Sequence, residues 1–291
     1  MPNSQEATTS LVAYQGHEGA YSHLSCRHVF PTHTTYPCAS FLEAMQAVEA
    51  GKADVAMIPL ENSTAGRVEE IYRLIPKMEL YIVGEHFEPV NHCLMAAPGT
   101  EIDTLRVVSS HPQALAQCAE HIAELGLQTE AHLDTAGAAL ALSQNPDPSR
   151  AAIASRLAAE LYGLNILREH FSDQTGNTTR FIILARGESL PPLEPGHAYM
   201  TSVLFRVRNI PAALYKAMGG FATNGINLVK LESYIPGGSL NASQFHVDIE
   251  GHVEERGLRL ALEELHFFAE DVRILGTYRA HPFRQSRAFH D

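Results

Sequence analysis

Gly176-Asn177-Thr178-Thr179-Arg180 runs directly into Phe181-Ile182-Ile183-Leu184-Ala185. The second half is apolar and partly β-branched, so it reads as a buried strand. The first half sets an amide, two hydroxyls and a guanidinium at that strand's mouth. Such a set suits a small carboxylate: Arg180 offers a planar fork, with Thr179 or Asn177 donating or accepting beside it. On spacing alone, a polar turn with Arg180 in solvent fits equally well.

The same pattern recurs upstream. A short strand over residues 11–14 meets Gln15-Gly16-His17-Glu18-Gly19 and then a helix over about 22–30. This turn lacks the third glycine of a dinucleotide fingerprint and the lysine of a P-loop, so no nucleotide site is expected. Ser40-Phe41-Leu42-Glu43 reads as a capping box. A strand over 54–58 ends at Pro59 and carries Glu61-Asn62-Ser63-Thr64-Ala65-Gly66 at its mouth. Glu61 fits an acid or orienter there, and equally a helix cap. Residues 79–88 and 91–97 read as extended connections. A strand over 105–108 ends in Ser109-Ser110-His111-Pro112-Gln113, and Pro112 suits the first turn of a helix running to about Leu125. A strand over 127–132, a helix capped by Asp134-Thr135, a strand over 151–155 and a helix over 157–162 follow. Repeated β-loop-α units predict an α/β fold, and polar strand mouths predict two lobes facing one cleft.

Residues 187–198, with three prolines before His197, read as a linker. Beyond them come a strand (199–207), a helix opened by Asn209-Ile210-Pro211, strands over 226–233 and 241–250, a helix over 254–268 and a strand over 272–278. That order is β-α-β-β-α-β, a ferredoxin-like unit. Residues 280–291 show no periodicity and are expected to be loose.

Bulk properties narrow the function classes. At 291 residues, two or three domains are expected. A formal charge of -12 without a basic run argues against nucleic acid as a partner. Cys26, Cys38, Cys93 and Cys118 form no C-x-x-C pair and read as free thiols in a reducing compartment. Met1-Pro2-Asn3-Ser4-Gln5-Glu6 is neither basic nor apolar, and no 18 apolar residues run together, so a cytoplasmic protein off the membrane is expected. The 16 histidines, among them His17, His23, His28 and His33, have irregular spacing, and no metal site is expected. No G-x-S-x-G elbow supports a serine hydrolase.

Four separated motifs carry a family resemblance: Gly16-His17-Glu18-Gly19-Ala20-Tyr21-Ser22, Pro59-Leu60-Glu61-Asn62-Ser63, Ser110-His111-Pro112-Gln113 and Asn177-Thr178-Thr179-Arg180-Phe181. With these the chain resembles prephenate dehydratases that carry a C-terminal ACT regulatory domain. The resemblance implies a two-lobed catalytic domain similar to type 2 periplasmic binding proteins over 10–186, with lobes of 10–87 plus 175–186 and of 88–174. It implies an ACT domain over 199–280. It implies decarboxylating dehydration of prephenate to phenylpyruvate in phenylalanine biosynthesis, a carbon–oxygen lyase reaction needing no cofactor or metal. Carried over by position, Thr179, Arg180, Glu61, Asn62 and Gln113 would be catalytic. Ser63, His111, Thr135, Ser155, Asn177 and Thr178 would line the substrate site. L-Phenylalanine would be the effector, held at Ala212, Ala213, Leu214, Asn227, Leu228, Glu232 and Ser233 of a homodimer or homotetramer. Two departures stand out: Ala212 where the family often has glycine, and Tyr234 where it often has arginine. Arogenate dehydration and a non-catalytic sensor on the same two-lobed fold are the alternatives.

Overall fold

A computed structural model describes residues 10–208, 210–234 and 244–287. Asn209 and residues 241–243, where a helix and a strand were expected to begin, lie outside them. Contacts divide the chain into two compact units, Met1–Ile75 with His86–Phe181, and Pro76–Glu85 with Ile182–Asp291. The division passes within two strands, β5 and β11 below. No helix among the described residues is long and apolar enough to cross a membrane.

In the first unit, β1 (Leu11–Gln15), α1 (Tyr21–Val29), β2 (Thr34–Cys38), α2 (Phe41–Glu49) and β3 (Val55–Asn62) alternate as parallel β-loop-α units. β4 (Gly66–Arg67) folds back on β3, and α3 (Glu69–Leu74) and β5 (Tyr81–Pro89) follow. A second sheet contains β6 (Cys93–Ala96), β7 (Val107–Ser110), β8 (Gln128–Ala131), β9 (Arg150–Ala154) and β10 (Asn165–Arg168). Its helices are α4 (Pro112–Gln117), α5 (Ala119–Glu124), α6 (Thr135–Gln144) and α7 (Arg156–Tyr162). The chain then returns as β11 (Thr178–Ala185) to the first sheet, whose order is β2-β1-β3-β11-β5. The second sheet has the order β10-β6-β9-β7-β8. An α/β fold of two sheets is therefore what the alternating pattern produces.

Local chemistry sets several boundaries. Ser40 accepts from the Glu43 amide and Asp134 from the Gly137 amide, satisfying helix-end donors as the sequence suggested. The single helix expected over 112–125 is two: Cys118 leaves helical geometry at φ -121°, and its buried thiol sits at the break. β2, β10 and the two-residue β4 were not foreseen. Their sequences, such as the half-exposed Thr34-Thr35-Tyr36-Pro37-Cys38, carry no clean alternation, and pairing with a neighbour makes them strands.

The second unit contains β12 (Tyr199–Val207), α8 (Ala213–Thr223), β13 (Leu228–Tyr234), β14 (Gln244–Glu250), α9 (Arg256–Phe268) and β15 (Ala269–Arg279), with sheet order β13-β14-β12-β15. Val203, Phe205, Phe221, Val247, Leu258 and Leu265 form its core. This is the βαββαβ topology read from the sequence. Residues 187–198 before it carry almost no regular structure.

The end of the chain is not loose throughout: Pro282–Arg287 forms α10. Arg284 donates from Nε and Nη2 to the two carboxylate oxygens of Glu85, at 2.6 and 2.7 Å, and the Glu85 side chain is fully buried. A six-residue helix shows no periodicity worth reading; a bidentate ion pair holds it. Arg284→Met strips the guanidinium from a buried carboxylate and should cost about 3–5 kcal/mol in urea denaturation. An unchanged unfolding midpoint would show that this pair does not anchor the chain end.

Candidate active site

β3 and β11 lie side by side, and their ends meet. The Ser63 amide donates to the Thr178 carbonyl at 2.9 Å, and the Thr178 amide donates to Ser63 Oγ at 3.0 Å. Side chains alternate along each strand, so the register pairs Asn62 with Thr179 on one face and Glu61 with Arg180 on the other. Asn62 Nδ2 donates to Thr179 Oγ1 at 3.0 Å. Arg180 is buried, and its Nη1 donates to Glu61 Oε1 at 2.9 Å. The structure thus does not set Arg180 beside Thr179 at the mouth. Alternation turns it to the opposite face, where Glu61 holds it. Thr178 shares that buried face.

Around Thr179 the hydrogen bonds form a closed circuit with one consistent direction. Asn62 Nδ2 also donates to Asn177 Oδ1 at 2.7 Å, and Asn177 Nδ2 donates to Gln117 Oε1 at 3.2 Å. Gln117 Nε2 donates to Thr64 Oγ1 at 2.9 Å, and Thr64 returns its proton to Asn62 Oδ1 at 2.8 Å. His92 Nε2 meets Gln117 Oε1 at 3.0 Å, and since that oxygen only accepts, His92 donates. Its Nδ1 then accepts from Tyr21 Oη at 3.0 Å. Burial holds His92 below its usual range, as a neutral ring requires. Thr179 Oγ1 accepts within this circuit, so its own proton remains available to a ligand.

A glycine loop from the first sheet meets three residues of the second. His17 Nδ1 pairs with Asp134 Oδ2 at 2.7 Å, Tyr162 donates to the Glu18 carbonyl at 2.6 Å and Ser155 donates to the Gly19 carbonyl at 2.6 Å. Gly19 has φ +87°, and a Cβ there would lie 2.8 Å from the Ala158 Cα, so both conformation and space demand glycine. Ser155, expected to touch substrate, is buried. It caps α7 and spends its proton on Gly19. His111 caps α4 by accepting from the Gln113 amide at 3.3 Å, and burial lowers its pKa. Gln113 is exposed one helical turn before Gln117, on the same side of α4. Thr135 opens α6, half-buried. Gln117, Thr64, His92 and Tyr21 are the members that sequence reading missed. The i, i+4 spacing of Gln113 and Gln117 was the available signal.

The expected effector residues fall into two groups. β12 and β13 are both antiparallel to β14 and so parallel to each other. Register sets Leu228 level with Thr201 at the start of β12, and Glu232 level with Leu204 further along. Ala212-Ala213-Leu214 begin α8 beyond the end of β12, while Asn227-Leu228 follow its other end. The 11 residues of α8 hold the groups roughly 16 Å apart. One chain does not bring them together. Ala212 adopts the left-handed conformation at φ 58°, which glycine meets without the steric cost an alanine incurs.

A model of the prephenate dehydratase family matches residues 12–189. The chain belongs to the prephenate dehydratase family. It is 50% identical over 276 residues to a bifunctional N-acyl-homoserine lactone acylase/prephenate dehydratase of Komagataeibacter europaeus, covering 94% of this chain and 98% of that one. It is 40% identical over 281 residues to arogenate dehydratase/prephenate dehydratase 1 of Arabidopsis thaliana, covering 92% of this chain and 71% of that one. Among solved structures, prephenate dehydratase from Arthrobacter aurescens in complex with L-Phe superposes with a TM-score of 0.85 at 31% identity, covering 93% and 90% of the two chains.

The circuit makes a stability claim that can be tested at Gln117. Gln117→Leu removes the acceptor shared by the buried donors of His92 and Asn177. Each orphaned donor should cost about 1–3 kcal/mol. Gln117→Glu keeps an acceptor and should cost less. Equal urea midpoints for wild type and Gln117→Leu would show that the circuit is not coupled to folding.

Proposed function

We propose that this chain catalyses the decarboxylating dehydration of prephenate to phenylpyruvate, a step towards L-phenylalanine. One observation carries the reading: the Thr179 hydroxyl is held by Asn62 in a directed circuit that leaves its proton for a ligand. In the reaction the bond from the ring to its carboxylate breaks, and that electron pair enters the ring. Carbon dioxide departs, the 4-hydroxyl leaves, and the ring becomes aromatic. Hydroxide takes a proton to become water. Threonine is too weak an acid to supply that proton outright, so Thr179 hydrogen-bonds the leaving oxygen as negative charge builds on it. Asn62 and Asn177 orient Thr179, and Gln113 faces the substrate from α4. Arg180 with Glu61 sets the register of β3 against β11. His111, Thr135 and Ser63 shape the walls, while the buried Thr178 and Ser155 support them from behind.

Purified protein is to be incubated with prephenate and separately with arogenate, and the aromatic product identified. Phenylpyruvate from prephenate is expected; phenylalanine from arogenate would establish the sister activity instead. Thr179→Ala should lower kcat by about 100- to 1000-fold with KM little changed, and Thr179→Ser should retain part of the rate. Wild-type turnover in Thr179→Ala would remove the hydroxyl from the mechanism. A second reading rests on the 50% identity to the bifunctional Komagataeibacter protein. Release of homoserine lactone from an N-acyl-homoserine lactone by this chain would support amide hydrolysis as an additional activity.

The catalytic domain is assigned to 10–186, the linker to 187–198 and an ACT domain to 199–280. L-Phenylalanine is the effector that the Arthrobacter relative suggests. Because one chain separates Ala212–Leu214 from Asn227-Leu228, an effector touching both groups needs a second copy. Exposed Val229 and Leu231 on the edge strand β13 support such a homodimer or dimer of dimers. Calorimetry with L-phenylalanine should show saturable heat, weakened in Asn227→Ala. No heat in wild type would leave the unit as a contact module only. A cytoplasmic location agrees with four buried free thiols, of which burial pushes Cys118 up to about 12.

A further inference from the structure

His28 lies in the last turn of α1, and His86 and Glu88 lie two apart on β5, hence on one face of that strand. His28 Nδ1 is 2.8 Å and His86 Nε2 is 2.9 Å from the same oxygen, Glu88 Oε2. One ligand atom from each of the three lies within 4.8 Å of the others. The Glu88 side chain is only 4% exposed, while His28 is 53% exposed. All three line a cavity of about 670 Å³ whose other walls include Tyr21, Arg27, Leu157 and His170. This cavity does not include Thr179, Asn62 or Gln117.

We infer that His28, His86 and Glu88 form a binding site for a divalent transition metal, zinc being the best match, with a coordination position open to the cavity. Two imidazole nitrogens and a carboxylate make a donor set of borderline softness, which favours zinc or cobalt over magnesium or calcium. The geometry needs little change. The two nitrogens, at 2.8 and 2.9 Å from one carboxylate oxygen, need only move from it by a few tenths of an ångström to admit an ion, and neutral imidazole can shift its proton to the other ring nitrogen. Two of the ligands are already set by one strand, and α1 packs on the sheet that contains β5, so the site is largely pre-organised. A set of three protein ligands with an open position is that of a reactive site rather than a purely structural one. Sequence spacing gives no sign of this cluster for a plain reason: His28 and His86 are 58 positions apart, and only the fold brings them together. Protons compete for the same nitrogens, so affinity should rise with pH.

The test uses full-length, tag-free protein stripped with chelator and titrated with zinc against a chromophoric competitor. One zinc per chain is expected, with cobalt giving the visible absorption of a low-coordinate site and magnesium giving no response. His86→Ala and Glu88→Gln should each weaken zinc by about a hundredfold or more. His28→Ala, at an exposed position that the fold tolerates, should weaken it as well, and circular dichroism checks that all three variants fold. His197→Ala, at a histidine of the other unit, should change nothing. Zinc bound equally well by wild type and by the three variants would assign it to other surface histidines and overturn the inference. So would wild type binding no zinc, or binding magnesium as tightly.

Discussion

The carboxamide of Asn62 is where the chain's separate parts are joined. Its two protons go to Asn177 and Thr179, and its oxygen takes the Thr64 amide, the Thr64 hydroxyl and the Ala65 amide at 3.1, 2.8 and 2.9 Å. The end of β3, the turn after it, the mouth of β11 and, through Gln117, helix α4 of the second sheet all reach it. A carboxylate has the same shape but no proton to give, so only an amide donates to Thr179 while holding the turn. The position of the Thr179 hydroxyl therefore depends on this side chain.

Strand alternation then divides the work between neighbours in sequence. Thr179 and Arg180 are adjacent, yet one turns to the mouth and the other into the protein. The Arg180–Glu61 pair spans β11 and β3 on one face, with Arg180 buried and Glu61 35% exposed, as Thr179–Asn62 spans them on the other. A motif that reads as one site is thus two layers, one exposing chemistry and one holding register. Arg180 is only 2% exposed, so its guanidinium meets the Glu61 carboxylate with little water around it.

The second sheet contributes mainly constraint. Asp134, Ser155 and Tyr162 all hold the Gly16–Gly19 segment, and two of those contacts are to its backbone carbonyls. A loop held by its backbone keeps its shape whatever its side chains are, except where space is lacking, and Gly19 is that exception. These contacts explain why the residues of the loop stand where they do. In the second unit the left-handed Ala212 is a comparable case, a backbone demand met by a residue that pays a steric penalty.

The sequence by itself determined what local chemistry controls. Alternation of strands and amphipathic helices, the caps at Ser40 and Asp134 and the βαββαβ order all follow from short-range propensity and hydrogen bonding. Tertiary structure alone decided which way those residues face and whom they meet. Ser155 had the right chemistry for a ligand but was spent on Gly19. Gln117 looked like an ordinary helical residue until Thr64, Asn177 and His92 converged on it. The strand at 34–38 and the helix at 282–287 exist because a neighbouring strand and a buried Glu85 complete them. His28, His86 and Glu88 were unreadable as a group, since spacing encodes proximity only over a few residues. Periodicity records which face is apolar; the direction of a hydrogen bond, and a partner a hundred residues away, are fixed only when the chain closes.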